Sequence, residues 1–169
     1  MYYCWRITKY DPKNRNEKGH YQKNEWISIN DVGTKYDDIE FTFDLYLKSE
    51  NAYIDAIIRI MRGNNVGSLI MEALEKKRYV NHDDFGGAES KAFFKSLKRN
   101  MLIPKHDVVP ITRFALRQII WCKLLCDQMF VHFGDDYYMF IGSEKELENE
   151  IEAIRNNGLF VEEMKSPYM

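Results

Sequence analysis

The segment that most constrains the fold is residues 129–143, which read MFVHFGDDYYMFIGS. Two runs of aromatic and aliphatic residues flank a turn-forming tripeptide, Gly-Asp-Asp, at 134–136. Apolar runs joined by so short a turn are typical of a β-hairpin. We therefore predict strands over 129–133 and 137–142, and we place this hairpin at the centre of a β-sheet.

Periodicity in the rest of the chain predicts further elements. Alternating apolar and polar residues predict a strand over 2–10, and the polar stretch 11–23 predicts a loop. Apolar residues recur every three or four positions after Thr42, which predicts a helix that Thr42 caps and that runs to about Arg62. The other predicted strands cover 25–32, 68–77, 119–125 and 159–164, and the other predicted helices cover 91–100, 107–119 and 144–157.

Two helix boundaries and one element type depend on local motifs in the middle of the chain. Gly63 is expected to end the first long helix in a left-handed conformation. Asp107 is expected to cap a later helix, with Pro110 tolerated in its first turn. Segment 68–77 contains helix-favouring residues, but its alternation favours a strand, and both possibilities stay open.

The last helix has a motif at each end. Ser143 and Glu146 have the spacing of a capping box, in which each side chain accepts a hydrogen bond from a free backbone amide. Gly158 is expected to end the helix. Leu159 would then contact Ile154 in a Schellman motif.

These elements predict a single α+β domain over 1–169. A chain of 169 residues is long enough to bury a core of its own, and no internal repeat or linker divides it. We predict a mixed, mainly antiparallel sheet with helices packed on one face. The C-terminal β-hairpin is followed by a helix and a strand, which implies a right-handed crossover if both strands share a sheet.

Composition predicts a cytoplasmic protein that does not enter a membrane. No run approaches the ~20 apolar residues of a membrane span, and the aromatic and basic start does not resemble a signal peptide. The three cysteines are Cys4, Cys122 and Cys126, an odd number. Their spacing fits neither a redox pair nor a zinc site, so we expect reduced thiols in the core.

The net charge of −2 hides a strong segregation along the chain. Residues 91–123 carry eight Lys and Arg residues against one acid, Asp107, whereas residues 124–169 carry ten acids against three basic residues. The first block would suit phosphate and the second would suit a basic partner. Alternatively, the two blocks neutralise each other within the fold.

The histidines do not form a recognisable catalytic or metal-binding pattern. His132 lies in the hairpin, and the more economical interpretation is a half-buried histidine bonded to a carbonyl. His82 and His106 each precede a carboxylate, but no further ligand has a metal-site spacing. We therefore predict no catalytic residue, no metal and no cofactor.

Two other sequence features are candidates for phosphate or nucleic-acid binding. The pair Gly86 and Gly87 does not form a phosphate loop, because it lacks the lysine of that motif. In the basic segment 91–105, a shared helical face of Lys91, Lys95 and Lys98 beside Phe94 would suit nucleic acid. The acidic pI of 6.1 argues against this use, and a solvated helix face is favoured.

Three stretches of the chain resemble a known group of proteins. They are YYCWRITKYDPKNRNEKGHYQKNEWISINDVG at 2–33, MFVHFGDDYYMFIGS at 129–143 and GLFVEEMKSPY at 158–168. They resemble small bacterial proteins, some of which look like immunity proteins of polymorphic or contact-dependent toxin systems. The resemblance implies a cognate toxin as partner, and it supplies no functional residues.

An immunity protein needs only a rigid surface that complements its toxin, which agrees with the lack of a catalytic motif. Nuclease toxins present basic clefts, which an acidic surface with aromatic anchors can occlude. We predict that the partner-binding residues are Asp135, Asp136, Tyr137, Tyr138, Glu144 and Glu148. The alternatives are a small hydrolase or nuclease-like enzyme, and a nucleic-acid-binding module that uses residues 91–105.

Overall fold

A computed structural model describes residues 3–78, 80 and 87–169. This part of the chain contains nine strands and four α-helices. In chain order they are β1 (Tyr3–Thr8), β2 (Lys35–Tyr36), β3 (Ile39–Glu40), α1 (Phe43–Gly63), β4 (Ser68–Lys76), α2 (Ala88–Ser96), β5 (Leu102–Pro104), α3 (Lys105–Leu116), β6 (Ile120–Leu125), β7 (Met129–Phe133), β8 (Tyr138–Ser143), α4 (Glu148–Asn156) and β9 (Phe160–Glu163). The predicted α+β class is confirmed.

Seven of the strands form one sheet in the order β5-β4-β6-β7-β8-β1-β9. Every pair of neighbouring strands among the described residues is antiparallel. Strand β7 is therefore the middle strand, and the predicted central hairpin β7–β8 is confirmed. Strands β8 and β9 share the sheet and run parallel, with β1 between them.

One face of the sheet packs against helices α1, α3 and α4. The register places Val131 beside Ile141 and Ile141 beside Trp5, so alternate residues of β7, β8 and β1 point to the same side. Their side chains join buried residues of the three helices, such as Ile57 and Ile111, in one apolar cluster. Burying this surface is the main favourable contribution to folding.

The opposite face of the sheet is covered in part by the C-terminal tail, residues 165–169, and we call it the tail face. Phe130, His132 and Phe140 lie on this face and are all buried. The tail contacts them through Ser166, whose hydroxyl bonds the His132 ring, and through Tyr168, whose ring packs edge-on to Phe140. The tail thus shields the polar centre of this face from water.

Helix α1 begins where the sequence predicts, but it ends differently. The Thr42 hydroxyl accepts a hydrogen bond from the Leu45 amide, which confirms the predicted cap. The prediction of Gly63 as a left-handed stop is wrong, because Gly63 is helical and the left-handed residue is Asn65, with φ of 60°. A Cβ at position 63 would lie 2.7 Å from Leu147 Cδ2, so the Leu147 side chain would have to shift to admit one.

Segment 25–32 does not form the predicted strand. It contains a 3-10 turn at Ile29–Asp31, in which the Asp31 carboxylate accepts hydrogen bonds from the amides of Ile27 and Ser28. These local bonds satisfy the amides that a strand would offer to a neighbour. The strands β2 and β3 follow instead and pair with each other outside the main sheet.

The predicted cap at Asp107 is also wrong. Helix α3 begins two residues earlier, at Lys105, after Pro104 in an extended conformation. Pro110 therefore lies inside the helix rather than in its first turn. Helix α2 likewise begins after Gly87 and ends at Ser96, so the predicted helix over 91–100 is displaced toward the N-terminus.

The capping box at Ser143 is not formed, although the end of the same helix is predicted correctly. Ser143 is the last residue of β8, and its buried hydroxyl donates to Asn64 Oδ1 at 3.0 Å. Helix α4 begins only at Glu148. At its other end, the amides of Gly158 and Leu159 donate to the carbonyls of Arg155 and Ile154, which is the predicted Schellman motif. The prediction of a strand over 68–77 is confirmed by β4.

Candidate functional site

An acidic groove lies between β1, β9 and helix α4 and encloses a volume of about 570 Å³. Four exposed carboxylates line it, and the positive charge among its lining residues is the guanidinium of Arg155. Arg155 also donates a hydrogen bond to the Val161 carbonyl at 3.3 Å, which ties the helix to β9. The carboxylates belong to Glu146, Glu148, Glu152 and Glu163.

Two aromatic rings form one wall of the acidic groove. Tyr3 and Trp5 alternate on β1, so both point to the same side, and their rings stack with centroids 6.3 Å apart. Trp5 is buried, whereas Tyr3 is 46% exposed. Trp5 also pairs with Glu163 in the sheet register. The groove therefore combines a rigid, partly exposed aromatic surface with a concentration of negative charge.

The predicted residues at the hairpin tip differ in their accessibility. Asp135 and Asp136 are exposed. Tyr137 is only 4% exposed, because its hydroxyl donates to the Tyr46 hydroxyl at 3.1 Å within the core. Tyr138 is half-buried, with the Arg6 guanidinium 5.3 Å from its ring centroid. The tip thus offers two carboxylates and part of one ring, but Tyr137 has no accessible surface for an anchor.

The structure does not bring the predicted binding residues together on one surface. Asp135 and Asp136 precede β8, whereas Glu144 follows it. Six strand residues at about 3.3 Å each separate the two ends by roughly 20 Å. Glu148 lines the acidic groove, and Glu144 is exposed directly after the last residue of β8. The acidic residues therefore form two separate surfaces.

A second concavity of about 520 Å³, which we call the tip pocket, includes Asp135 and Asp136. Its charges are mixed, since Glu75, Lys76 and Lys77 also line it. Lys76 is already occupied, because its ammonium donates to the Phe94 carbonyl at 2.7 Å. This pocket concentrates charge less than the acidic groove does.

His132 is buried in the tail face rather than placed in a cleft. It is 5% exposed, and its Nδ1 lies 2.8 Å from the Ser166 hydroxyl, so its partner is a hydroxyl rather than the predicted carbonyl. Its ring stacks on Phe130 with centroids 4.4 Å apart. Burial and the positive charge of Lys123 lower the pKa of His132 to about 4. The imidazole is therefore neutral at pH 7, inside a packed structure.

The remaining candidates for metal or phosphate chemistry are scattered. His106 is exposed and lies 3.4 Å from Asp107, and His82 and Gly86 fall outside the described residues. Within residues 3–78, 80 and 87–169, no group of three or more His, Cys, Asp or Glu side chains is placed to hold a metal ion.

The basic segment does not form the predicted shared helical face. Lys91 and Lys95 lie on α2, but Lys98 follows the end of that helix. The Phe94 ring packs edge-on against Phe114 at 5.9 Å, so it is already engaged within the protein.

A third concavity, of about 430 Å³, was not predicted from the sequence, and we call it the Lys9 pocket. It lies between the segment after β1, the loop around Trp26 and the start of α1. Trp26 and Phe41 stack in its wall with ring centroids 4.5 Å apart. Its lining residues come from distant positions in the chain, so no local sequence pattern predicts the pocket.

Cys122 is buried and Cys4 and Cys126 are partly buried, and all three thiols are free. No helix in the described residues is long and apolar enough to cross a bilayer.

No protein-family model matches the chain, and neither the curated proteins nor the solved structures contain a match.

Proposed function

We propose that this protein is a non-enzymatic binding protein that neutralises a cognate bacterial toxin by occluding the toxin's active cleft. The observation that supports this proposal best is the acidic groove, in which four exposed carboxylates surround a partly exposed aromatic wall. The negative charge around this groove complements the positive charge of a basic cleft. The resemblance to immunity proteins is the reason for proposing a toxin as the partner.

Charge and shape have different roles in the proposed complex. The carboxylates steer a basic partner toward the groove and increase the association rate. Tyr3 supplies an amphipathic ring whose position is fixed by its stacking on Trp5, so little conformational entropy is lost on binding. Because both rings lie on β1, inside the seven-stranded sheet, the surface is preorganised.

Co-expression with a toxin encoded beside this gene tests the proposal. We compare the wild type with the groove variant Glu148→Lys/Glu152→Lys and with the tip variant Asp135→Lys/Asp136→Lys. The two variants change the charge equally, so a general electrostatic effect would weaken both. We expect the wild type and the tip variant to protect cells, and the groove variant to lose protection.

A sizing column shows whether protection reflects a complex. Loss of protection by the tip variant alone would move the interface to the hairpin. If the wild type neither protects nor co-elutes with the toxin, the immunity function is excluded.

A further inference from the structure

Lys9 lies directly after β1 and is held with its ammonium group inside the protein. Its backbone amide donates to the Tyr53 hydroxyl at 2.7 Å, which fixes the main chain at this position. Its side chain is 6% exposed, and the part that remains accessible lines the Lys9 pocket. A lysine so placed differs from a solvated surface lysine, because most of its side chain is shielded from water.

The Lys9 ammonium contacts a carboxylate and two aromatic rings. Nζ lies 3.0 Å from Glu25 Oε2, and it lies 3.8 Å and 4.1 Å from the ring centroids of Tyr10 and Trp26. The other Glu25 oxygen accepts a hydrogen bond from the Tyr21 hydroxyl. An amine, a carboxylate and a phenol therefore form a connected series, in which the residues of the amine and the carboxylate line the pocket.

Burial lowers the pKa of Lys9 to about 8. Glu25 and Asp31 oppose this change because their negative charges stabilise the ammonium, whereas Lys23 adds to it. At pH 7.4 a pKa of about 8 leaves roughly a fifth of the side chain as free amine, compared with about one part in a thousand for an ordinary lysine. Free amine is the form that attacks a carbonyl carbon.

We propose that Lys9 is a nucleophilic amine that forms an imine with a small aldehyde or ketone whose apolar or aromatic body occupies the Lys9 pocket. The stacked rings of Trp26 and Phe41 would contact that body, and the exposed side chain of Leu45 also lines the pocket. This activity is independent of the proposed toxin binding, because it uses a different concavity.

The chemistry needs no further reactant. The amine lone pair adds to the carbonyl carbon, a C–N bond forms, and the carbonyl π pair moves to oxygen. Glu25 accepts one proton from the nitrogen and passes it to this oxygen, which gives a carbinolamine. The second proton of the nitrogen follows the same route to the hydroxyl, which leaves as water when the C=N bond forms. The products are an imine and one water, with no net oxidation. The aromatic rings around Nζ also stabilise a protonated imine.

Reductive trapping on the full-length wild-type protein tests the proposal. We use benzaldehyde with sodium cyanoborohydride at pH 7.4 and map the benzylated lysines by mass spectrometry. Lys48 is the internal control, because it lines the same pocket but is exposed. We expect Lys9 to be labelled at least about tenfold faster than Lys48, with a rate that rises with pH around a midpoint near 8. Labelling of Lys9 that is no faster than that of Lys48, or that requires urea, would overturn the proposal.

The variant Glu25→Gln separates proton transfer from simple exposure of the amine. It removes a charge that favours the ammonium, so acylation of Lys9 by acetic anhydride should be at least as fast as in the wild type. Imine formation should be slower, because an amide cannot exchange the proton. Equal changes in both reactions would show that Glu25 takes no part in proton transfer. An unchanged thermal unfolding curve confirms that the fold is intact.

Discussion

At the scale of the residue, the tail face shows how the surroundings of a side chain determine its chemistry. The sequence places His132 in the hairpin and predicts a half-buried side chain bonded to a carbonyl. In the structure its partners are Ser166 and the Phe130 ring, and Lys123 is the nearby charge. The hairpin pattern therefore predicts the strand that contains His132, but it does not predict that the C-terminal tail covers this side chain.

This burial predicts a pH dependence of stability. The pKa of His132 is about 4 when folded and about 6.5 when unfolded, so the unfolded chain binds a proton first as the pH falls. The contribution of neutral His132 to the free energy of unfolding is complete above pH 6.5 and is lost toward pH 4. Its upper limit is on the order of 3 kcal/mol. Urea unfolding of the wild type and of His132→Gln at pH 7 and 4.5 measures it. The loss on acidification should be larger for the wild type, and equal losses would contradict the assignment.

Gly142 gives a second prediction at this scale. A Cβ at this position would lie 2.0 Å from Phe130 Cε1, so the ring occupies the space that any side chain would need. Gly142→Ala should therefore destabilise the protein by about 1–3 kcal/mol. Gly67→Ala is the matched control, because a Cβ at 67 meets nothing within 4 Å. Equal melting temperatures for the two variants would show that the ring moves away freely.

At the scale of the element, the sequence predicted strands better than helix starts. The hairpin, β4 and the end of α4 follow from alternation and from a local glycine motif, which are properties of a few adjacent residues. Ser143 was misassigned because its hydroxyl bonds to Asn64, which is distant in sequence. Tyr137 was taken for a surface anchor for a similar reason, since its partner is Tyr46. The Lys9 pocket depends entirely on such distant contacts.

The position of a strand in the sheet predicts how much its side chains stabilise the fold. Phe130 lies on the central strand β7 and is buried, so Phe130→Ala should reduce the free energy of unfolding by about 3–5 kcal/mol. Leu102 lies on the edge strand β5 and is 62% exposed, so Leu102→Ala should cost much less. Chemical denaturation of both variants gives the comparison. A Phe130→Ala variant that melts within a degree or two of the parent would show that the ring is not part of the core.

At the scale of the whole molecule, the folded chain distributes its charge differently from what the sequence suggests. Exposed carboxylates of the last third lie at the hairpin tip and in the acidic groove, toward opposite ends of β8. Arg117 of the basic block binds Glu50 within the core, at 2.7 Å. Part of the basic block is thus neutralised inside the fold, whereas the carboxylates of the groove remain exposed.

Both charge-reversal variants should fold. Glu148 and Glu152 are exposed on α4, where substitutions typically change stability by about 0.5 kcal/mol or less. Asp136 has a left-handed φ of 51°, so the tip variant should lose roughly 1 kcal/mol more. Thermal unfolding checks both before any binding measurement.

The salt dependence of association with the toxin tests the central claim most directly. Stopped-flow rates are measured from low to physiological ionic strength for the wild type, the groove variant and the tip variant. We expect the wild-type rate to fall steeply with added salt, and the groove variant to associate at least about tenfold more slowly at low salt with a flatter dependence. The tip variant should stay close to the wild type. A groove variant that associates as fast as the wild type, with the same salt dependence, would contradict the proposal that the acidic groove binds the toxin.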